Sequence, residues 1–226
     1  MITTEVGDGF AHVVFTTRDD GDMGHGGEYA TEVDAEVAAR RRTIVDLPWT
    51  WLRQVHGSAV VHVTEPGGGA GQVADAVVSS RPDCPLVILT ADCAPVALAS
   101  PEGIIGAVHA GWAGLVAGVI GRAVDEMRTI GASDVRAVLG PTIHPECYEF
   151  GDDDLKRIEG RLGPQVRSRS RAGAPALDLP GGVGLALRQA GVEKLTSVGG
   201  CTACDTNLFS WRARRDKERQ AMVVWR

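Results

Sequence analysis

The chain has no run of about 18 consecutive apolar residues, the length a membrane-spanning helix needs, although 44% of its 226 residues are hydrophobic. No apolar segment follows Met1, because Thr3, Glu5 and Asp8 interrupt it; this predicts no leader-type segment at the start. The chain also lacks a surplus of positive charge. Its formal net charge is -6, and a protein without a basic face neutralises phosphates poorly, which argues against nucleic acid as a partner. The one basic cluster, Arg212 to Arg219, is interleaved with Asp216 and Glu218 and reads as a solvated surface. Cysteine is scarce and odd in number: Cys84, Cys93, Cys147, Cys201 and Cys204. Five thiols with no leader predict reduced cysteines and a cytoplasmic setting. The glycine-rich stretch Pro66 to Gly71 lacks the Lys-Ser/Thr ending of a phosphate-binding loop and the spacing of a dinucleotide fingerprint, so it reads as a connector. No repeat and no linker divides the chain, which predicts a single domain over residues 1–226.

What is present is a succession of short apolar runs. His12 to Thr17, Trp49 to Val55, Ala76 to Ser79, Leu86 to Thr90, Pro95 to Ala99, Gly103 to His109, Val135 to Gly140, Leu195 to Val198 and Met222 to Trp225 read as strands. Ala59 to Val63 is expected to pair with the strand at Trp49 to Val55 across a Gly57-Ser58 turn. Asp20 to Gly27 reads as a loop. Helices are expected over Glu32 to Val45, Trp112 to Ile130, Asp152 to Leu162 and Leu179 to Ala190. Strands and helices are mixed without strict alternation. This predicts an α/β fold, a mixed-sheet layered sandwich with flanking helices, and not a doubly wound sheet.

Three of these runs end on a metal-type ligand: Gln54-Val55-His56-Gly57, Thr90-Ala91-Asp92-Cys93 and Val108-His109-Ala110-Gly111-Trp112. Two imidazoles and one thiolate leave one corner of a tetrahedron open, the pattern of catalytic zinc. The open corner can take a water or polarise a substrate oxygen. No local motif such as HExxH ties the three residues together, so spacing alone leaves open whether they share an ion. Asp75 and Asp92 are the nearby carboxylates, suited either to orienting an imidazole and moving protons or to capping turns at strand ends. Cys201-x-x-Cys204 has no second CxxC, and Cys84 and Cys147 stand alone, so these thiols read as structural. His25, in its glycine-rich loop, is a further candidate for a pocket.

The runs Trp51 to Gly57, Leu89 to Val96 and His109 to Leu115 resemble three motifs of the laccase-domain family of purine nucleoside phosphorylases, formerly called multicopper polyphenol oxidases. Gly140-Pro141-Thr142-Ile143 with Cys147-Tyr148-Glu149, and Cys201 to Asp205 with Leu208-Phe209-Ser210, resemble two further motifs, so the likeness runs from about Phe10 to the end. The resemblance implies metal ligation by His56, Cys93 and His109. It implies a zinc enzyme, with copper as the other candidate metal, that phosphorolyses inosine, adenosine and methylthioadenosine and also deaminates adenosine. Its partners would then be purine nucleosides and phosphate, in a monomer or small homo-oligomer. Asp92 and Asp75 are the expected catalytic acids; Arg18 and Gln54 are the expected substrate contacts, with Arg40, Arg41 and Arg42 as further phosphate candidates.

The chain departs from the family pattern at Ala113, where an arginine is usual, in its N-terminal loop after Arg18, and between Ala213 and Gln220. These departures leave a metal-stabilised protein without catalysis, or one that edits cell-wall precursors, as alternatives. A copper phenol oxidase is another alternative, since two histidines and a cysteine resemble a blue-copper centre. The six histidines of the chain fall short of the about ten that a full multicopper arrangement requires.

Overall fold

Short β-branched and apolar runs form the frame, and most are buried on both faces. The computed structural model describes residues 1–24 and 33–226. The early strands are β1 (Ile2–Val6), β2 (Ala11–Phe15), β3 (Thr50–Arg53), β4 (Val60–Val63) and β5 (Gln72–Val73). The central ones are β6 (Ala76–Ser79), β7 (Leu86–Thr90), β8 (Ala94–Ala99), β9 (Ile105–Ala110) and β10 (Arg136–Leu139). The last are β11 (Arg167–Arg169), β12 (Pro175–Leu177), β13 (Leu195–Ser197) and β14 (Gln220–Trp225). Helices are α1 (Ala35–Arg42), α2 (Trp112–Ala117), α3 (Val119–Thr129), α4 (Asp152–Leu162), α5 (Leu179–Gln189) and α6 (Trp211–Arg214).

Two six-stranded mixed sheets result. The first runs β1-β2-β14-β7-β3-β5 and the second β13-β10-β8-β9-β6-β4; β11 and β12 form a separate hairpin. The period-two pattern of each strand assigns its residues to layers. In β7, Leu86 and Ile88 face the second sheet, where they meet Ala97, Ile105 and Ala107; Met222 and Val224 of β14 join them. Val87 and Leu89 face outward and pack with Trp49, Trp51, Val223 and Met23, next to Val33, Ile44 and Val45 around α1. The outer face of the second sheet, with Val96, Leu98 and Val108, is covered by Leu115, Ile120, Val124 and Met127 and by α4 and α5 through Leu155, Ile158, Val183 and Leu187. Each such large side chain, fully buried, contributes about 1.5–3 kcal/mol.

Three expectations are corrected. β4 does not pair with β3. It runs parallel to β6 in the second sheet, while β3 lies parallel to β7 and β5 in the first. The Gly57-Ser58 segment is therefore a crossing between layers and not a hairpin turn. The helix expected from Trp112 to Ile130 breaks at Gly118, which takes φ 82 and separates α2 from α3; this left-handed conformation favours glycine. The helix expected from Glu32 is observed over Ala35–Arg42, capped by Asp34, whose carboxylate accepts from the amides of Glu36 and Val37. Its expected first residue, Glu32, lies outside the described residues, as does His25. Strand β1, the short β5, the β11–β12 pair and α6 were not foreseen.

Candidate metal centre

Several connections between the two sheets meet at one end of the sandwich, and two of them carry ligands. After β3 it crosses to β4 through residues 54–59, and after β7 it crosses to β8 through residues 91–93. His56 lies in the first crossing and Cys93 in the second. His109 sits near the end of β9, opposite Pro95 of β8. Its side chain takes the inner face of the second sheet, in register with Ile105 and Ala107. The three ligand atoms lie within 4.8 Å of one another. Cys93 Sγ is 3.7 Å from His56 Nε2, and the two imidazoles meet edge-on with centroids 4.8 Å apart. His109 is buried, Cys93 half-buried and His56 exposed, so the cluster is open to solvent on the His56 side.

Asp75 organises two of the three. One carboxylate oxygen is 2.8 Å from His109 Nδ1 and accepts from the His56 amide at 2.8 Å. The other accepts from the amides of Gly57 at 2.7 Å and Val55 at 3.2 Å. The acid thus anchors the His56 crossing, and by accepting from His109 Nδ1 it leaves Nε2 as the nitrogen that faces the cluster and can ligate an ion once its proton is lost. Gly111 leaves room for the cluster. A Cβ there would stand 2.8 Å from His56 Cδ2 and 3.1 Å from Cys93 Sγ.

The charges favour the ligating form of the thiol. Burial alone would raise Cys93, but the His109 charge and hydrogen bonds from His109 and His56 outweigh it and bring the thiol down to about 6. Burial likewise opposes a charged His109, yet Cys93 and Asp75 raise it above its ordinary value. A preset thiolate, one imidazole oriented by a carboxylate, a second imidazole within reach and a glycine-cleared space suit a thiophilic cation such as zinc or copper.

The other residues singled out from the sequence are engaged by the protein itself. Asp92 is buried and adopts φ 103. Its Oδ1 accepts from Thr202 Oγ1 at 2.6 Å and its Oδ2 from the Arg212 amide at 2.6 Å. Its carbonyl accepts from the Ile143 amide and from Thr142 Oγ1. Gln54 pairs both ends of its amide with the Leu89 backbone, at 2.8 and 2.9 Å, and so ties the first crossing to β7. Arg18 binds Asp216 at 2.7 Å and the carbonyls of Thr206 and Leu208, and its guanidinium covers the Phe209 ring. Arg40 binds the Asp22 carbonyl and Glu36, and the buried Arg41 binds the Met23 carbonyl and covers Trp49. In this structure these groups, expected from the sequence to meet substrate or phosphate, make their observed polar contacts within the protein itself.

Two neighbours were missed. The Arg212 guanidinium lies 5.0 Å from the centre of the Tyr148 ring, and the Arg212 amide is the one that caps Asp92. Burial, helped by the nearby Cys93 and Asp92 charges, raises Tyr148 well above its ordinary value, so its hydroxyl stays neutral. Tyr148 belonged to a recognised motif, but nothing in its spacing pointed at Cys93.

Residues 12–226 match the family model described as multi-copper polyphenol oxidoreductase laccase. A relative from Streptomyces griseus, named purine nucleoside phosphorylase ORF3, is 37% identical over 96% of this chain and 95% of its own length. The chain belongs to the laccase-domain family of purine nucleoside phosphorylases. Another relative, purine nucleoside phosphorylase Rv2149c of Mycobacterium tuberculosis, is 37% identical over 88% of this chain and 83% of its own. Among solved structures, Neisseria meningitidis protein NMB0706 superposes with a TM-score of 0.82 at 26% identity, covering 99% of this chain and 98% of that one. YlmD from Geobacillus stearothermophilus gives 0.79 at 26% identity, covering 96% and 91%. The laccase-domain fold is thus an α/β sandwich of two large mixed sheets with flanking helices. Among the described residues, no helix is long and apolar enough to cross a membrane.

Proposed function

We propose that this protein is a metal-dependent purine nucleoside phosphorylase. In that reaction a phosphate oxygen bonds to the ribose C1′, the bond from C1′ to the purine nitrogen breaks, and the purine leaves with the electron pair. The observation that carries the reading is the meeting of His56, Cys93 and His109 within 4.8 Å, in a chain whose relatives bear that enzyme's name over most of their length. His56, Cys93 and His109 would hold the ion, and zinc suits the donor set. When bound, such an ion supplies a Lewis acid that polarises a substrate oxygen or acidifies a water.

The chain's own residues supply position and charge. Asp75 fixes the His109 ring and the His56 backbone. Asp92 fixes the turn that carries Cys93, and as a proton donor to the departing purine it must first give up one of its two short contacts. Arg212, cationic and stacked on Tyr148, is the side chain we assign to the phosphate, in place of Arg18 and Arg40 to Arg42. Adenosine deamination uses the same centre, with a water oxygen bonding to the purine carbon that releases ammonia. A soluble, cytoplasmic monomer or small homo-oligomer is part of this reading.

The test is phosphate-dependent release of base from inosine, adenosine and methylthioadenosine by the protein stripped of metal and reloaded with zinc. His109→Ala should abolish phosphorolysis and deamination together. If no nucleoside yields base with phosphate, the reading fails. The printed description of the matching family favours one second reading, a copper phenol oxidase; recovery of phenol oxidation with copper, and of no nucleoside reaction with zinc, would install it.

A further inference from the structure

The sequence leaves Cys147 isolated, 54 positions before Cys201. The fold removes that separation. The bridge between Thr142 and Cys201 brings the turn after β10 against the Cys201-Thr202-Ala203-Cys204 turn. Cys147, Cys201 and Cys204 then lie with all three sulfurs within 4.8 Å, and Cys147 Sγ is 3.3 Å from Cys204 Sγ. Cys201 is buried, Cys147 half-buried and Cys204 exposed, so the trio has a closed base and an open mouth.

We propose that Cys147, Cys201 and Cys204 form a second metal site, separate from the histidine-containing centre, for a thiophilic cation with a filled d shell, zinc(II) or copper(I). Thiolates at about 2.3 Å from one ion stand roughly 3.8 Å apart at tetrahedral angles. The Cys147–Cys204 separation is 3.3 Å and no two of the three sulfurs stand farther apart than 4.8 Å, so shifts of about 1 Å bring them to that spacing. A disulfide requires about 2.05 Å between two of the sulfurs and leaves the third unused.

The surroundings also favour a cation over a disulfide. The His144 amide donates to Cys201 Sγ at 3.3 Å. A disulfide sulfur has little use for such a donor, whereas a metal-bound thiolate is stabilised by it. Arg171 Nη2 lies 3.9 Å from Cys204 Sγ and offsets the surplus negative charge of three thiolates on one ion. The soft, all-sulfur donor set selects copper(I) or zinc over magnesium, calcium or manganese. On binding, three S–H bonds are exchanged for three metal–sulfur bonds and three protons are released, with no change of oxidation state.

The test is metal titration of the reduced, stripped full-length protein without oxygen, with zinc(II) in one arm and copper(I) in the other, each against a chromophoric chelator. Wild-type protein should take two equivalents of the metal that fits. Cys93→Ala should take one, at the thiol trio. Cys204→Ser, at an exposed position that leaves the buried Cys201 in place, should also take one, at the histidine-containing centre. The double variant should take none above chelator background. If wild type and Cys204→Ser take the same number of equivalents in both arms, the proposal is overturned. It is equally overturned if Cys147 and Cys204 are recovered as a disulfide from air-exposed protein while no second equivalent binds in the reduced form.

Discussion

Replacing Asp75 by asparagine should disable the metal centre while keeping the side chain's size. In the wild type each carboxylate oxygen accepts two hydrogen bonds: one from the His56 amide and His109 Nδ1, the other from the amides of Val55 and Gly57. An asparagine has one oxygen and one NH2 group, so in either orientation two donors face an NH2. With the NH2 toward Val55 and Gly57, the crossing loses two contacts. With the NH2 toward His56 and His109, the imidazole can recover only by moving its proton to Nε2, which removes the lone pair a metal needs. Two contacts to a charged acceptor at about 1.5–3 kcal/mol each give a loss of about 3–6 kcal/mol, a large share of a typical domain's stability of roughly 5–15 kcal/mol. Metal affinity should fall at least ~10–100-fold. The acid limb adds a second readout. Burial alone would raise Asp75, but the bonds from His109, Gly57 and Val55 outweigh it and hold the carboxyl below its ordinary value. A group depressed in the folded state stabilises fully above its unfolded value of about 3.9 and loses that contribution as the pH falls through the folded value. Wild-type stability should therefore drop below about pH 4 through Asp75, and the variant should lack that share of the drop. The assays are chelator competition for affinity and denaturant melts across pH. A variant with wild-type affinity and wild-type midpoint at pH 7 would refute the positioning role.

Gly111→Ala should retain the fold, since Gly111 has φ -76, but its Cβ would press on His56 and Cys93 and lower metal affinity ~10–100-fold; unchanged chelator competition would contradict this. In metal-free protein at pH 7, iodoacetamide should modify Cys93 before the buried Cys84, because the first thiol sits at about 6 and burial raises the second. Zinc should protect Cys93, and peptide mapping after a timed quench reads the order. Asp92→Asn should lower turnover by roughly 10²-fold if Asp92 gives a proton to the departing base; an unchanged rate at lower Tm would restrict it to holding its turn. Ala113→Arg should lower the KM for phosphate; unchanged KM with a lower Tm would mean that a cation there is only buried without a partner.

The three ligand motifs were legible because each closes an apolar strand, and strand ends place residues at the rim of a layer. The layer structure was legible from period-two runs such as Leu86 to Thr90, buried on both faces. The partner of β4 was not, because Gly57-Ser58 looks like a hairpin turn and nothing local reports the left-handed His56, at φ 58, that sends the chain into the other sheet. The Gly118 break was hidden in a stretch whose apolar spacing stays helical through it. Cys147 could not be joined to Cys201 from sequence, since the long-range pairing of β10 with β13, continued by the Thr142–Cys201 bridge, brings them together. The acids were visible as residue types, but their engagement was not, because hydrogen-bond partners such as Thr202 and the Arg212 amide lie 110 and 120 positions away from Asp92.

The β3–β4 and β7–β8 crossings each contain a non-glycine residue at positive φ, His56 at 58 and Asp92 at 103. Such conformations cost about 1–3 kcal/mol each and persist only where the surroundings over-determine them. The surroundings do so here with the polar residues that looked like catalysts. Asp75 fastens the first crossing through three amides, Gln54 stitches it to Leu89, and Asp92 fastens the second through Thr142, Ile143, Thr202 and Arg212. The ligands are therefore held before any ion arrives, and binding need not order two loops at its own expense. This division of labour also locates the chemistry. In the proposed reading Asp75 positions, Asp92 reaches a substrate only by releasing one of its contacts, and the exposed His56 side of the ligand cluster and the Arg212–Tyr148 pair are left to meet it. Specificity for a nucleoside and for phosphate should accordingly respond to Arg212 and Tyr148, while changes at Asp75 or Gln54 should act through the metal and through stability.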